Sequence, residues 1–356
     1  MDCIREEIRA LSAYAVVPAE GLVKLDAMEN PYVLPDELRV AIARRLSVLE
    51  INRYPESNPE NLKTLLRQTM GIDPAAAIVL GNGSDELIQM IALSVAKPGA
   101  VILGVEPAFV MFRMIATFVG LRFVGVPLKT DFSLDGPALL SAIEAHQPAL
   151  VFLAYPNNPT GNHFDPVVME TVIRAAPGLV VVDEAYFPFS KQSFLPRLFA
   201  YSNLLVMRTV SKLGLAGIRL GFLSGPAEIL EHIDKVRLPY NISVLDQAVA
   251  LEVLSHGAVL QEQAERILQH RAVLAERLAA IAGVTVYPSD ANFLLFRVAR
   301  PSHIFDGLRH RGILIKNLSA AHPLLADCLR VTVGTSEENQ RFLDALQDTL
   351  RMNRSL

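Results

Sequence analysis

Four segments of the chain carry polar or reactive side chains directly after a run of apolar residues. In a doubly wound α/β sheet, ligands bind beyond the carboxyl ends of the strands, so side chains that follow buried strands are the first candidates for chemistry. The four segments are Gly81–Glu86 (GNGSDE), Tyr155–Gly161 (YPNNPTG), Val180–Tyr186 (VVVDEAY) and Thr209–Gly221 (TVSKLGLAGIRLG).

Lys212 is the candidate nucleophile among only eight lysines in the chain. It lies shortly after the apolar run NLLVM, and no other charged residue follows it until Arg219. An amine in apolar surroundings has a lowered pKa and becomes nucleophilic at neutral pH. The plainer alternative is a solvated surface lysine, which describes most lysines.

Asp183 ends a purely apolar run, where an ionised carboxylate is costly unless a cation pairs with it. A cationic ring nitrogen would meet that need, and a helix N-cap is the alternative.

In GNGSDE, two glycines allow a tight turn and Ser84 can cap the next helix, whose free N–H groups suit a phosphate. An ordinary strand, turn and helix is the alternative there.

The remaining segment, YPNNPTG, is either a well-formed loop or a loop that points an asparagine into the site. Together the segments supply a phosphate cradle, an aspartate for a pyridinium nitrogen, an asparagine and a tyrosine for a phenolic oxygen, and a lysine for a Schiff base. Pyridoxal phosphate requires such a set. The order and spacing of the segments are far more specific than any one of them.

Short apolar runs alternate with helical patterns over the first two thirds of the chain, which predicts a parallel α/β sheet. Helices are expected over about Asp85–Ala96 and Pro166–Ala176. After Pro239, a long helical pattern with a break near His256–Gly257 precedes a smaller α+β unit. The strand-like runs are Ala77–Leu80, Val101–Gly104, Leu150–Ala154, Leu179–Val182, Leu204–Met207 and Phe222–Ser224, then Asn292–Val298, Gly312–Ile315 and Leu329–Val333.

Composition narrows the function classes. The chain has 356 residues, 51% of them hydrophobic, and a net charge of −4, so a large core is expected and nucleic acid is not an expected partner. Cys3 and Cys328 lie at opposite ends, which disfavours disulfides and a cysteine-based metal site. No signal peptide or membrane span is predicted, and the cytoplasm is the expected compartment.

The chain resembles the class I/II aminotransferases, which are pyridoxal-phosphate enzymes of fold type I, and among them most closely the histidinol-phosphate aminotransferases. The resemblance extends from about Leu22 to Thr335 and includes pieces beyond the four segments. These pieces are KLDAMENPY (Lys24–Tyr32), RYPE (Arg53–Glu56), ANFLLFR (Ala291–Arg297) and LRVTVGT (Leu329–Thr335).

The resemblance implies an α/β fold with a large domain, built on a mainly parallel seven-stranded sheet flanked by helices, and a smaller α+β domain. The expected division is an N-terminal arm over residues 1–30 that joins the small domain, a large domain over 31–240 and a small domain over 241–356. It also implies a homodimer whose active sites are composite.

The activity implied is ping-pong transfer of an amino group between L-glutamate and imidazole acetol phosphate, which yields 2-oxoglutarate and L-histidinol phosphate in histidine biosynthesis. An aromatic amino-acid aminotransferase or a broad-specificity paralogue is the alternative. A decarboxylase of a phosphorylated substrate and a non-enzymatic amino-acid sensor are further alternatives. The sensor is disfavoured because no basic DNA-binding segment precedes the motifs and Lys212 is intact.

The resemblance also assigns roles to residues. Lys212 would carry the cofactor and move protons, Asp183 would pair with the ring nitrogen, and Tyr54 would reach the cofactor phosphate of the other subunit. The remaining cofactor-binding residues implied are Gly83, Ser84, Asp85, Phe109, Asn158, Tyr186, Thr209, Ser211 and Arg219, and the substrate-binding residues are Tyr14, Asn30, Lys316 and Arg330.

Simpler roles are open for some of these residues: Tyr54 and Tyr186 as core aromatics, Arg330 as a surface ion-pair partner, and Asn30 as a turn residue before Pro31.

Three positions and one spacing depart from the usual family pattern. Met28 stands where asparagine is usual, Phe109 where a tyrosine usually stacks on the cofactor, and Lys316 where arginine is common. The spacing from Lys212 to Arg219 is one residue shorter than usual. We expect a shortened loop there, with Arg219 still within reach of the phosphate.

Overall fold

The computed structural model describes residues 3–13 and 16–353, and the described strands form three sheets. The strands are β1 Val23–Lys24, β2 Ala77–Asn82, β3 Val101–Glu106, β4 Arg122–Pro127, β5 Leu150–Ala154, β6 Leu179–Asp183, β7 Leu204–Thr209, β8 Leu220–Gly225, β9 Val284–Val286, β10 Phe293–Val298, β11 Ile313–Leu314, β12 Lys316–Asn317 and β13 Cys328–Thr332.

Helices connect most of these strands. They are α1 Glu6–Arg9, α2 Asp36–Ser47, α3 Glu60–Met70, α4 Ser84–Ser94, α5 Met111–Phe118, α6 Gly136–His146, α7 Pro166–Ala175, α8 Ala227–Asp234, α9 Val244–Ser255, α10 Ala258–Ala279, α11 Pro301–His310 and α12 Ser336–Asn353. Shorter helical turns lie at Phe187–Phe189, Leu195–Ala200, Ser211–Leu215, Ala216–Ile218 and Pro323–Leu325.

The largest sheet has seven strands in the order β2-β8-β7-β6-β5-β3-β4. Only β8 runs antiparallel to its neighbours, so the predicted mainly parallel seven-stranded sheet is confirmed. Strands β5, β6 and β7 are almost entirely apolar because helices cover both faces of the sheet. Leu153 packs into the core on one face, while Phe152 and Ala154 pack into the core on the other.

The register of the central strands places the candidate segments side by side. Ala154 pairs with Asp183, and Asp183 pairs with Met207, so the carboxyl ends of β5, β6 and β7 lie next to one another. The segments that follow these strands therefore meet at a single edge of the sheet, where a ligand of an α/β protein is expected to bind.

A smaller antiparallel sheet, in the order β12-β13-β10-β9, forms the second unit. It shares an apolar core with α10, α11 and α12. Strand β1 pairs in parallel with β11, which joins the N-terminal segment to this unit. Helix α9 packs against α2 and α3 and contributes Ala250 and Val253 to the core of the large sheet. The predicted helix break is confirmed, because α9 ends at Ser255 and α10 begins at Ala258.

Strand β4 was not predicted from the apolar runs. It is one of the two edge strands of the large sheet and pairs with β3 alone, so most of its side chains are only partly buried. Its sequence, RFVGVP, therefore lacks the continuous apolar character of the central strands. None of the described helices is long and apolar enough to span a membrane.

Candidate active site

A cavity of about 110 Å³ lies at the carboxyl edge of the large sheet. Met28, Ala154, Pro156 and Ala185 form part of its wall. The rest of the wall consists of residues singled out from the sequence, namely Ser84, Asp85, Phe109, Asn158, Asp183, Tyr186, Thr209, Ser211, Lys212 and Arg219. The structure therefore brings together the candidate nucleophile and most of the predicted cofactor-binding residues.

Lys212 lies in the turn that follows β7, and its ammonium group points toward the N-terminal segment. Its Nζ donates a hydrogen bond to the carbonyl oxygen of Ala27 at 3.0 Å. Burial lowers the pKa of Lys212 to about 8, and the positive charges of Arg330 and Arg219 act in the same direction. A substantial fraction of neutral, nucleophilic amine is then available near neutral pH.

Asp183 is buried at the end of β6, and the described ion pairs include none to its carboxylate. Burial raises its pKa to about 7, helped by the nearby carboxylates of Asp85 and Glu184. The N–H of Ala185, 3.0 Å from Oδ1, opposes this shift only in part. A cationic group placed beside Asp183 would restore the carboxylate, so the site favours a ligand with a protonated ring nitrogen.

The other end of the cavity is built around two glycines. Gly83 has φ +80°, and a Cβ added there would lie 2.6 Å from Nη2 of Arg219. A Cβ on Gly221 would lie 3.0 Å from the carbonyl carbon of Gly83. These two positions allow Arg219 and the N-terminus of α4 to converge, and Arg219 reaches the cavity despite the shortened spacing from Lys212.

The prediction that Ser84 caps α4 is wrong. Gly83 is the N-cap residue, Ser84 is the first residue of the helix, and no side chain caps this terminus. The first N–H groups of α4 are therefore left for a ligand, which favours an anion there. The hydroxyls of Thr209 and Ser211 lie 2.9 Å apart at the same cavity and add further donors.

Aromatic rings form the cavity walls near Lys212. The ring centre of Tyr186 lies 6.0 Å from Nζ of Lys212, and Phe293 packs edge-on against Tyr186 with the ring centroids 5.2 Å apart. Phe109 is held by an edge contact with Phe112, with the centroids 5.7 Å apart. Phe109 thus presents a ring to the cavity but has no hydroxyl to donate.

A second cavity of about 410 Å³ continues from the first and shares Met28, Phe109 and Asn158 with it. Arg330 lies at the junction, where Nη1 donates to Oδ1 of Asn158 at 2.5 Å and Nη2 donates to the carbonyl oxygen of Asp26 at 2.9 Å. Arg330 is 6% exposed, so it is not a surface ion-pair partner.

Lys316 and Arg330 face each other across β12 and β13, and both line the larger cavity. This register brings two cationic side chains to one wall of the cavity. The larger cavity is therefore suited to an anionic substrate group.

A sequence model described as aminotransferase class I and II matches residues 20–346 of the chain. The chain belongs to the class I and II aminotransferase family. Histidinol-phosphate aminotransferase 2 of Cupriavidus pinatubonensis is 55% identical over 98% of this chain and 96% of its own length. Histidinol-phosphate aminotransferase 1 of Ralstonia nicotianae is 53% identical over 97% of this chain and 95% of its own length.

A solved structure of histidinol-phosphate aminotransferase from Sinorhizobium meliloti, in complex with pyridoxal-5'-phosphate, has a similar fold. It is 25% identical and covers 99% of both chains with a TM-score of 0.87. L-threonine-O-3-phosphate decarboxylase from Porphyromonas gingivalis, at 21% identity and a TM-score of 0.80, shares the fold. The large and small units described above are thus an aminotransferase architecture.

Three residues singled out for the aminotransferase site lie away from both cavities or outside the described chain. Asn30 donates to the carbonyl oxygen of Leu213 at 3.0 Å and to Oε1 of Gln263 at 2.9 Å, so it secures the turn that carries Lys212. Tyr54 is 80% exposed, so it is not a core aromatic, and it stacks on Tyr240 with the centroids 4.5 Å apart. Tyr14 lies outside the described residues.

Met28, at the position where the family resemblance implies an asparagine, adopts a left-handed backbone conformation. Its φ is +53°, a left-handed value that asparagine tolerates better than most residues. The N–H of Met28 donates to Oγ1 of Thr332 at 3.0 Å, and its carbonyl oxygen accepts from Nδ2 of Asn292 at 3.0 Å. These buried contacts hold the conformation without an asparagine side chain.

Two groups of residues near the aminotransferase site were not predicted from the sequence. Glu184 and Arg208 form a buried ion pair, 2.8 Å apart, directly beside Asp183 and Thr209 in the sequence. Their adjacency to site residues was the available signal, because alternate residues of a strand point to opposite faces. His322 lines the larger cavity and directly precedes the short helical turn Pro323–Leu325, for which the sequence offered no periodic signal.

Proposed function

We propose that this aminotransferase is a histidinol-phosphate aminotransferase that uses pyridoxal phosphate. It transfers an amino group between L-glutamate/2-oxoglutarate and imidazole acetol phosphate/L-histidinol phosphate. The observation that carries the proposal is the opposed pair of cations, Lys316 and Arg330, in a cavity that continues from the Lys212 and Asp183 site. The relatives at 53–55% identity over nearly the whole chain support the same substrate.

The residues present fit the cofactor. Buried Asp183, whose pKa is raised to about 7, suits a protonated ring nitrogen, and the uncapped start of α4 with Arg219 suits a phosphate. When bound, pyridoxal phosphate supplies an electron sink for the substrate carbon that loses its proton. Asp183 would hold the proton on the ring nitrogen, and Phe109 would offer its ring face to the cofactor.

The remaining groups at this site have separate tasks. Asn158 and Tyr186 would hydrogen-bond the phenolic oxygen of the cofactor, and Ser211 and Thr209 would bind its phosphate together with the N–H groups of Ser84 and Asp85. Lys212 would hold the cofactor and, once released, its Nζ would carry the proton between two carbon atoms. A pKa near 8 suits an amine that must both accept and donate a proton.

Arg330 would bind the substrate anion in both half-reactions. In one it would hold the α-carboxylate of glutamate, and in the other the phosphate of histidinol phosphate. A guanidinium presents parallel donors that match either group. Lys316 would add a second positive charge, while Asn30 would act by securing the Lys212 turn and Tyr14 by closing over the substrate.

We further propose a homodimer with composite active sites in the cytoplasm. Tyr54 and Ile51 are 80% and 74% exposed and lie beside Tyr240 and Leu245, which are exposed apolar residues as well. A contiguous apolar surface of this kind suits burial against a second copy of the chain. Tyr54 would then reach the cofactor phosphate of that copy.

The test is a set of half-reaction spectra on one sample of purified yellow enzyme. We expect histidinol phosphate at low concentration and L-glutamate each to convert the cofactor to its amino form, with phenylalanine and threonine phosphate far less effective. A Lys212→Ala variant should bind the cofactor but fail to turn over. No spectral change with histidinol phosphate would remove the substrate assignment, and a stronger response to phenylalanine would favour an aromatic aminotransferase.

A further inference from the structure

The larger cavity has charged residues on two walls, and the two walls carry different sets of charges. On the wall formed by the large sheet, Glu106 compensates Arg113, whose Nε and Nη2 lie 2.9 and 2.6 Å from Oε1 of the carboxylate. The wall formed by the small sheet carries two cationic side chains, Lys316 and Arg330, and His322 lines the same cavity. An anion entering this cavity is therefore drawn to the wall of the small sheet.

The ring orientation of His322 is fixed by the backbone that follows it. Its Nδ1 accepts a hydrogen bond from the N–H of Leu324 at 3.2 Å, at the start of the helical turn Pro323–Leu325. In a neutral imidazole with Nδ1 as acceptor, the proton resides on Nε2. The described hydrogen bonds include none from Nε2 of His322, so this N–H is available to a ligand in the cavity.

Arg330 has limited donors for a phosphate. Both of its terminal nitrogens already donate once, Nη1 to Asn158 and Nη2 to the carbonyl oxygen of Asp26, so at most three of its five N–H groups are left for an anion. A carboxylate has two oxygens to satisfy, whereas a phosphate monoester has three terminal oxygens and close to two negative charges near neutral pH. A phosphorylated substrate therefore needs more donors at this wall than glutamate needs.

We propose that His322 is a specificity-determining residue that donates from Nε2 to the phosphate of the phosphorylated substrate. This inference rests on the proposed function and deepens it, because it assigns to His322 the discrimination between histidinol phosphate and glutamate. Arg330 serves both substrates, and His322 serves the phosphorylated one. The backbone contact at Nδ1 keeps the imidazole in the required tautomer, so the donor is oriented before the substrate arrives.

Two variants separate the role of Nε2 from the role of Nδ1. In His322→Asn the amide oxygen can still accept from the N–H of Leu324, but no donor reaches the position of Nε2. In His322→Gln the amide nitrogen can reach the position of Nε2, but the backbone contact is altered. His303→Asn, on the exposed face of α11, is the matched control for loss of a histidine.

The measurement is the half-reaction of each holoenzyme with L-histidinol phosphate, L-histidinol and L-glutamate, together with the dissociation constant of each from the absorbance titration. A hydrogen bond to a charged group contributes a factor of about 10–100 in binding. We expect His322→Asn to weaken the binding of histidinol phosphate by about that factor and to leave the binding of histidinol and glutamate nearly unchanged. His322→Gln should recover part of the loss, and His303→Asn should match the wild type.

The outcomes distinguish this inference from the proposed function. If the wild type prefers histidinol phosphate to histidinol and His322→Asn keeps that preference in full, the inference is overturned while the proposed function stands. An equal loss on all three substrates would also overturn it, because it would assign His322 a purely structural role. A wild type without preference for the phosphorylated compound would overturn both.

Discussion

The buried ion pair between Glu184 and Arg208 should contribute strongly to the stability of the carboxyl edge of the large sheet, where the candidate active site lies. The side chains of Arg208 and Glu184 are 2% and 0% exposed, and Nη2 lies 2.8 Å from Oε2. The pair connects the ends of β6 and β7, next to Asp183 and Thr209. We predict that Glu184→Gln, which preserves shape and removes only the charge, will strongly destabilise the protein.

The magnitude follows from what the substitution leaves behind. Arg208 would remain buried against the ring of Phe187, 3.4 Å from its centre, with donors to Ser193 and the carbonyl oxygen of Met70 but no counter-charge. Removing one partner of a buried pair costs about 3–5 kcal/mol, because the other charge is left uncompensated. Glu184→Gln and Arg208→Met should each fall in that range.

The double variant tests the cause. With both charges gone, the glutamine can still accept from the hydroxyl of Ser193 and the N–H of Phe194, the donors that hold Glu184. The double variant should therefore cost less than the sum of the single variants by at least about 2 kcal/mol. An additive result would mean that lost packing or lost hydrogen bonds, rather than charge, explain the single losses.

The assay is urea unfolding of the apoenzyme followed by far-UV circular dichroism, since the chain has no tryptophan. Cofactor and subunit concentration both shift apparent stability, so the cofactor is removed and the protomer concentration is held constant. Glu262→Gln is the matched control, because its pair with Arg266 is shorter, at 2.6 Å, but exposed. It should cost below about 0.5 kcal/mol, and a similar value for Glu184→Gln would refute the reasoning.

Three further predictions concern the site. Burial raises the pKa of Asp183 to about 7, so the apoenzyme should lose stability relative to Asp183→Asn as the pH rises from about 4 through 7. Urea titrations of both proteins at several pH values measure this difference in the free energy of unfolding. A difference that does not change with pH would contradict the prediction. Gly83→Ala should weaken cofactor binding, measured by absorbance after dialysis, through its Cβ clash with Arg219, whereas Gly99→Ala, with φ +79° and open space around it, should not. Asn30→Ala should slow the glutamate and histidinol phosphate half-reactions equally, and a selective effect on one substrate would indicate direct substrate contact instead.

The sequence predicted which residues lie at the carboxyl edge of the large sheet better than it predicted the backbone contacts that position them. Asp183 and Lys212 stand out because a charged residue beside a continuous apolar run has few structural explanations. The same reasoning misplaced the cap of α4, since Ser84 and Gly83 both satisfy the preferences of a cap position. The left-handed φ of Gly83 and the close approach of Arg219 decide between them, and both depend on β8 lying next to β2.

His322 could not be predicted in the same way, because its position depends on the small sheet. The register of β12 against β13 places Lys316 opposite Arg330, and the short turn after His322 provides the N–H that binds Nδ1 of its ring. A histidine followed by proline in a loop has no periodicity that links it to a site 110 residues earlier at Lys212. Substrate preference could therefore vary through this loop while Asp183, Lys212 and Arg330 stay the same, since the roles proposed for these three residues apply to both half-reactions.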